Sequence, residues 1–525
     1  MIRSRRVQGC VVLTAAISAA FVVSAGAQEI PAAPPFKSTP CNWNCLDKEH
    51  IVPVSPTTDP AQDQGKHRVF VLTDMGADND DRQSMVRLVL YANEIDIEGL
   101  VATTSTFMMD RTNPWLIQEI IKAYGQVRQN LLKHDPHYPT AEFLAALIKS
   151  GAPEYGLGGV GPGKDSEGSA LLIAALKKND TRPLWVSIWG GANTLAQALW
   201  KIRSTEKPET VKALVAKLRV YAIGDQDDSG FWMRKEFPDL FWITPTGFNT
   251  GINSTDAGSN PEMISAAWLG KNIQQGHGPL GVAYPDTAYG MEGDTPAYLS
   301  LIPNGLNDPS HPNYGGWGGR FALYTPPPPA APQRPMHAGF RSQNVVVPVP
   351  ETRPIWTASD DQFHGPMARG TRRPFDPAQA DQPAQPKNAG VTLWRWREDF
   401  QNDFAARMEW TTKPYNQANH PPIVVLAENT PAEFSVHSGQ EFHLNATGSH
   451  DPDGDSITYY WFQYVEAGDL PEPVSFAPFS QVLTDLPVVA PKVDSPKTLH
   501  FICRVTDRGT PPLSRYRRVI VHVLP

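Results

Sequence analysis

The sequence is short of cysteine, of positive charge and of long apolar segments. Its 525 residues include four cysteines, and no second Cys or His pair stands at the spacing of a zinc site. Lys and Arg number 46 against 54 Asp and Glu, and the net charge of -8 argues against a surface that binds nucleic acid. No stretch supplies the roughly 20 consecutive apolar residues that cross a membrane.

The N-terminus has the pattern of a secretory signal peptide. Three arginines within residues 1–6 precede an apolar run at 11–23, and Ala25-Gly-Ala27 has the small residues of a cleavage site. We expect residues 1–27 to be removed and the protein to be exported, to the periplasm or beyond the cell. An exported location permits a disulfide between Cys41 and Cys45.

The chain that remains, 525 − 27 = 498 residues, is too long for one core and predicts two or three domains. Residues 28–66 are rich in Pro, Thr, Ser and Asp and are interpreted as an extended lead-in. Residues 67–420 alternate strand and helix patterns, including a helix at 141–149, as in an α/β domain. A Pro-rich insertion interrupts this domain at about 325–390. Its last helix, 394–410, carries Arg and Asp residues that we expect to form structural salt bridges.

Residues 421–525 have the pattern of an immunoglobulin-like β-sandwich, with short strands and regular turn signals. Cys503 lies in one of these strands and is expected to be a buried small hydrophobe. The acidic run from Asp451 to Asp455 is expected to form a hydrogen-bonded turn rather than a calcium site. We also expect deletion of this domain to leave the pocket of the first domain intact. The predicted strands are 423–426, 441–446, 457–461, 498–505 and 517–523.

Four aspartates follow the first strand of the α/β pattern. Asp74, Asp78, Asp80 and Asp81 come directly after the apolar run 69–72 and precede an amphipathic helix. In open α/β sheets, ligands bind outside the carboxyl ends of strands. Crowded carboxylates repel one another unless a cation lies among them, and oxygen ligands suit a hard divalent cation. Alternatively, Asp80 or Asp81 caps the helix, although one cap does not require four carboxylates.

Two later segments also place glycines or carboxylates after predicted strands. The strand at 184–189 ends in Gly190-Gly191, where a backbone without side chains lets a ligand approach closely, or where the chain turns into a helix capped by Asn193. The strand at 218–223 ends in three polar residues, 225–227, which either contact a ligand or are solvated.

Further along, Thr295-Pro296 favours the start of a helix and places Asp294 at its N-terminus.

A strand, an Asp, a short loop and an Asp-Asp pair that opens a helix resemble the metal-binding signature of the inosine-uridine nucleoside hydrolases. Two extra residues between Asp74 and the pair Asp80-Asp81 resemble a secreted branch of that fold, the cellulose-binding proteins with a nucleoside-hydrolase-like domain. This chain has Met75-Gly76 where the hydrolases have Pro-Gly, so the loop is longer while the carboxylates are kept.

The resemblance implies an open α/β sheet with flanking helices and a calcium-dependent hydrolase of N- or O-glycosidic bonds. It implies that Asp74, Asp81, Asp294 and the main-chain carbonyl of Trp189 bind Ca²⁺. Asp74 would also take a proton from the attacking water. The substrate would be a small glycoside or nucleoside, or a polysaccharide. The residues implied in substrate binding are Asp78, Asp80, Asn193, Asp225, Gln226, Asp227 and Glu292.

Two other classes of function compete with an enzyme. A protein that keeps the fold without turnover could bind cellulose through an aromatic surface, such as the Gly-Trp segment at 315–320. The carboxylate set favours an enzyme because a pure binder needs no base to activate water. A structural wall protein would use the sandwich domain but has no use for the acidic loop.

Overall fold

The computed structural model describes residues 51–52, 65–245, 251–256, 258–288, 290–326, 351–362, 387–477 and 480–525. The predicted signal peptide, Cys41, Cys45, nearly all of the lead-in and most of the Pro-rich insertion lie outside these residues. Cys503 is buried with a free thiol, as predicted. Across the described ranges, no helix has both the length and the apolar character that a membrane crossing requires.

The predicted α/β sheet is confirmed. Its strands within the described residues are β1 (Ile51–Val52), β2 (His67–Thr73), β3 (Ile95–Ala102), β4 (Ile148–Ser150), β5 (Leu184–Ile188), β6 (Leu218–Ala222), β7 (Phe241–Ile243), β8 (Phe321–Tyr324) and β9 (Ile355–Ala358). The flanking helices are α1 (Asp80–Val89), α2 (Pro114–Leu131), α3 (Ala141–Ala146), α4 (Glu167–Lys177), α5 (Asn193–Thr205), α6 (Pro208–Lys217), α7 (Ser229–Glu236), α8 (Ala266–Leu269), α9 (Gly278–Ala283), α10 (Pro296–Leu299), α11 (Val391–Trp394) and α12 (Arg397–Trp410).

The strand order places a topological switch point at the centre of the sheet. The order is β1-β8-β9-β7-β6-β5-β2-β3-β4, with parallel pairing from β4 to β9 and antiparallel pairing of β8 to β9 and to β1. The chain runs from β2 outward to β4 and then returns to β5 on the other side of β2. A crevice therefore opens at the carboxyl ends of β2 and β5, where ligands bind in open α/β sheets.

Both faces of the sheet are covered, which explains the continuous apolar runs of its central strands. Successive β2 side chains alternate between the two cores: Val69 and Val71 pack with α1, α2 and α12, whereas Phe70 and Leu72 pack with α4 and α5. The helix predicted at 141–149 ends at Ala146. The β-branched Ile148 instead begins β4 and pairs with Leu100 of β3.

The C-terminal region forms two strand-rich sheets around one core, which confirms the predicted sandwich. The sheets are β10-β15-β14-β12 and β11-β13, built from β10 (Glu433–His437), β11 (Glu441–Asn445), β12 (Thr458–Gln463), β13 (Asp485–Val489), β14 (Lys497–Thr506) and β15 (Ser514–Leu524). The segment 423–426 forms only an isolated bridge, Ile423 to His450, because two prolines directly precede it. The sequence did not predict β13, because its Pro487 is disfavoured within strands. The proline is tolerated because β13 has a single partner strand.

The sandwich joins the α/β region through buried charges on α12. Asp399 accepts hydrogen bonds from Arg504 and from the hydroxyl of Tyr516. Asp403 accepts from Arg515 at 2.6 Å, and although burial alone would raise its pKa, the nearby guanidinium groups lower the pKa to about 2. The α12 charges therefore have the structural role that the sequence predicted.

Candidate metal centre

The acidic loop begins at the carboxyl end of β2 and folds back on itself. The Ala77 N–H donates to the Asp74 carbonyl at 2.9 Å, and the Asp80 N–H donates to the Asp78 carboxylate at 2.9 Å. The hydroxyl of Thr73 donates to the Asp81 carboxylate. Carboxylate oxygens of Asp78, Asp80 and Asp81 lie within 4.8 Å of one another, which is the spacing of ligands around a single cation.

Asp294 lies in the segment that precedes α10, near enough to the acidic loop for the charges of its four aspartates to act on it. Its side chain is buried, and its Oδ2 atom has no hydrogen-bond partner in the described part of the chain. Burial raises its pKa well above the ordinary value, and the charges of Asp80, Asp81, Asp74 and Asp78 raise it further. A buried carboxylate oxygen without a hydrogen-bond partner among the described residues, close to four other carboxylates, is what a cation-binding site would contain.

The site is short of positive charge. Burial raises the pKa of Asp74 to about 6, and burial together with neighbouring carboxylates raises the pKa values of Asp80 and Asp81 well above the ordinary range. Within the described ranges, none of the five aspartates forms an ion pair with Lys, Arg or His. The side chains that could bind a metal ion here are therefore all carboxylates, and a hard divalent cation prefers such anionic oxygen ligands.

The turn after β5 lies against the acidic loop. The Trp189 N–H donates to the Leu72 carbonyl of β2 at 2.7 Å. A Cβ on Gly190 would lie 2.7 Å from Cβ of Asp74, so only glycine fits there without displacing the aspartate. The Trp189 carbonyl accepts a hydrogen bond from the side-chain amide of Gln226, and its second lone pair remains available.

Comparisons with known proteins identify the family of this chain. Residues 68–321 match the family described as cellulose-binding Sde182, nucleoside hydrolase-like domain, and residues 441–523 match the cellulose-binding protein Sde0182, C-terminal domain. A solved structure of a nucleoside hydrolase-related hypothetical protein from Saccharophagus degradans, associated with carbohydrate metabolism, is 35% identical with a TM-score of 0.70. The similarity covers 87% of this chain and 100% of that chain. The chain belongs to the Sde182 family.

Membership of the Sde182 family confirms the resemblance seen in the sequence, including its nucleoside-hydrolase-like and C-terminal parts. A second solved structure, the effector protein XOO4466, is 11% identical with a TM-score of 0.25 and carries no argument about fold. No curated protein matches the sequence.

Two of the residues implied in substrate binding are engaged in buried ion pairs of this Sde182-family chain. Asp225 pairs with Arg234 at 2.8 Å, and Arg234 also contacts a second carboxylate, that of Glu351. Glu292 pairs with Arg87 at 2.5 Å and accepts from the Tyr284 hydroxyl at 2.8 Å. Their carboxylates are occupied by these partners, so they support the walls of the site rather than face its centre.

Asp227 and Asn193 fasten the glycine turn to its surroundings. The Asp227 carboxylate accepts from the N–H groups of Ala192 at 2.9 Å and Asn193 at 3.1 Å, and burial raises its pKa to about 7. The Asn193 side chain donates to the Glu154 carbonyl at 2.8 Å, which connects the turn to the segment between β4 and α4. Both residues thus position the backbone that carries the Trp189 carbonyl.

The sequence interpretation missed two groups that orient the central carboxylates. Ser105, just beyond β3, lies beside Asp74 and offsets part of the rise that burial causes in the pKa of its carboxyl, and the Asn113 side chain donates to the Met75 carbonyl at 3.0 Å. The signal for Ser105 was available, because Thr103-Thr104-Ser105 is a polar end on a strand next to β2. Asn113 was not detectable, because its contact depends on how α2 approaches the loop.

Gly190→Ala should damage the candidate metal centre with little effect elsewhere. The new methyl group would push Asp74 out of position, so we expect calcium affinity to fall by at least about tenfold and the free energy of unfolding to fall by about 1–3 kcal/mol. Titration calorimetry and urea unfolding measure the two effects. Gly158→Ala is the matched control because its Cβ would meet nothing closer than 3.9 Å. Equal calcium affinity in Gly190→Ala and the control would contradict the close contact.

Proposed function

We propose that this Sde182-family chain is a calcium-dependent hydrolase of N- or O-glycosidic bonds. The observation that carries the proposal is a set of five aspartates without a cationic partner in the described residues, gathered at the switch point of a nucleoside-hydrolase-like sheet. The proposed ligands are Asp74, Asp81, Asp294 and the Trp189 carbonyl. The spacing of Asp78 and Asp80 to Asp81 adds both of them to this set as further candidates.

Each proposed role follows from the surroundings of the side chain. Calcium, when bound, supplies a more acidic water and open positions for substrate hydroxyls. Asp74 would accept a proton from the attacking water, since a carboxylate is a competent general base and this one is buried without a cationic side-chain partner among the described residues. The Ser105 hydroxyl lies beside this carboxylate and favours its charged form. Half-buried Asp80 and the unpartnered Oε1 atom of Gln226 are acceptors for sugar hydroxyls.

We propose the substrate class from the description of the family and from the predicted export of the protein. The family is described as cellulose-binding, and the solved relative as associated with carbohydrate metabolism, so we propose a saccharide or a nucleoside rather than a nucleic-acid polymer.

The N-terminal pattern leads us to propose export. We also propose two domains divided near residue 420. The alternative function is cellulose binding without turnover, since the family is described as cellulose-binding.

Asp74→Asn should abolish hydrolysis while the fold persists. The amide cannot accept the proton from water, so we expect turnover to fall by at least about 100-fold. Purified protein would be tested on nitrophenyl glycosides, cello-oligosaccharides, inosine and uridine, with calcium or with a chelator. Asp110→Asn, on an exposed residue, is the control with the same chemical change.

The possible outcomes separate the two functions. Chelation should also stop hydrolysis, and added calcium should restore it. Turnover by Asp74→Asn at the rate of the wild type would overturn the mechanism. Calcium binding by the wild type with no turnover of any of these substrates would favour the binding protein.

A further inference from the structure

A cleft of about 510 Å³ lies where the segment after α12 meets two loops of the sandwich. It is formed by residues 415–419 on one side and by residues 452–455 and 509–510 on the other. Its volume is in the range of about 300–1,000 Å³ that is typical of small-ligand sites. Nothing in the proposed hydrolase mechanism uses it.

One wall of the cleft is an exposed aromatic ring with rigid support. Tyr415 is 38% exposed, and its ring stacks on His420 with centroids 3.8 Å apart and an interplanar angle of 13°. His420 in turn stacks on Trp410 at 5.0 Å. The His420 ring is fixed by hydrogen-bond contacts of 2.9 Å to both Asp453 and His134. The ring of Tyr415 is therefore held in place before any ligand arrives.

The rim of the cleft is polar, uncharged or acidic. The side chains of Asn416, Gln417 and Thr510 are exposed and form no hydrogen bond with another described residue. The Asp451 carboxylate accepts from the N–H groups of Asp453 at 2.9 Å and Asp455 at 3.1 Å, which is the hydrogen-bonded turn that the sequence predicted. The cleft lining contains no Lys or Arg, so an anionic ligand would be repelled.

A partly exposed aromatic ring in the lining, with free amide and hydroxyl groups around it, matches an uncharged ligand with apolar faces and many hydroxyls. The aromatic ring offers a large apolar surface with a small loss of side-chain entropy, because the stack already orders it. Amide and carboxylate groups accept and donate the hydrogen bonds that hydroxyls need. A sugar ring has this combination of faces and edges.

The helix α2 separates this cleft from the acidic loop. At its N-terminal end, Asn113 contacts Met75 of the acidic loop, and near its C-terminal end Asn130 donates to the Trp410 carbonyl at 2.8 Å. The helix has 18 residues and is thus about 27 Å long. The two sites are therefore different places on the molecule.

We propose that this cleft is a binding site for a chain of neutral polysaccharide, separate from the candidate metal centre. Tyr415 stacks on a sugar ring, and Asn416, Gln417, Thr510 and Asp455 bind its hydroxyls. The site goes beyond the proposed hydrolase activity, because it holds the polymer without taking part in bond cleavage.

The test uses the full chain, with microcrystalline cellulose in pull-down assays and cellohexaose in titration calorimetry as probes. Tyr415→Ala should lower affinity for both by at least about tenfold, as expected for an aromatic anchor of an interface. Tyr415→Phe keeps the ring and should bind within about twofold of the wild type. Trp115→Ala removes another exposed aromatic side chain at the opposite end of α2 and should bind as the wild type does.

Each outcome decides for or against the site. Wild-type affinity in Tyr415→Ala, or no binding of either probe by the wild type, would overturn the proposal. If Tyr415→Ala lowers the melting temperature, the double variant Asn416→Ala and Gln417→Ala, on exposed side chains, gives the same decision. Asp74→Asn should keep cellulose binding, so that loss of hydrolysis and loss of polysaccharide binding at the cleft can be told apart. Loss of binding in Trp115→Ala or Asp74→Asn instead would place the polysaccharide at the acidic loop and overturn the proposal.

Discussion

Deleting residues 421–525 should prevent the rest of the chain from folding. The deletion removes Arg504 and Arg515 and leaves the buried carboxylates of Asp399 and Asp403 without these partners. Removing one partner of a buried ion pair costs about 3–5 kcal/mol, and the whole stability of a typical protein is about 5–15 kcal/mol. It also exposes Trp317 and Trp396, whose rings contact Tyr516. We therefore replace the sequence-based expectation that the pocket survives this deletion.

Circular dichroism and urea unfolding of the truncated chain measure this effect. Single substitutions give a graded version of the test: Arg504→Met and Arg515→Met should each lower the free energy of unfolding by about 3–5 kcal/mol. Arg508→Met, on an exposed arginine of the same domain, should change it by less than about 0.5 kcal/mol. The contacts between α12 and the sandwich form the junction of the two regions. If the truncated chain unfolds cooperatively at the same urea concentration as the full chain, the junction is not needed for folding.

The double substitution Asp74→Asn and Asp294→Asn should stabilise the calcium-free protein and abolish its stabilisation by calcium. Both aspartates have pKa values raised in the folded state, Asp74 from 3.8 to about 6, so the folded chain binds more protons than the unfolded chain in this range. The free energy of unfolding then falls as pH rises through this window. Calcium bound at the proposed site should reverse the loss in the wild type by about 2.7 kcal/mol at a concentration of 100 times Kd.

Thermal melts with chelator and with calcium, at about pH 4.5 and about pH 7, check the sign of the effect. The calcium-free wild type should lose stability between these values, and the double variant should lose less. The double variant Asp110→Asn and Asp494→Asn, on two exposed residues, is the control for the same change of net charge. A double variant that is less stable than the wild type without calcium would show that these carboxylates do not repel one another in the fold.

Local patterns in the sequence were sufficient to predict the central strands of the sheet and the strand end that carries the candidate site. The apolar run of β2 is fully buried, and its length and the carboxylates after it identified the strand end that carries the acidic loop. The approach of Asp294 to that loop came from a resemblance, since no periodicity connects the two segments. Contacts such as Arg87 with Glu292, separated by 205 residues, depend on tertiary packing and left no trace in local pattern. The same limit hid the junction between α12 and the sandwich.

The position of the junction in the sequence has a consequence for biosynthesis. The core that begins at β2 is completed by Tyr516 and by Arg518, which donates to the Gly315 carbonyl at 2.8 Å. At about 5–20 residues per second, a ribosome needs roughly 20–90 s to pass from the end of β2 to Tyr516. Throughout that time Trp317 and Trp396 lack the ring of Tyr516 that they contact in the folded protein. We therefore expect the nascent chain to expose these aromatic side chains, and to bind chaperones, until β15 has been made.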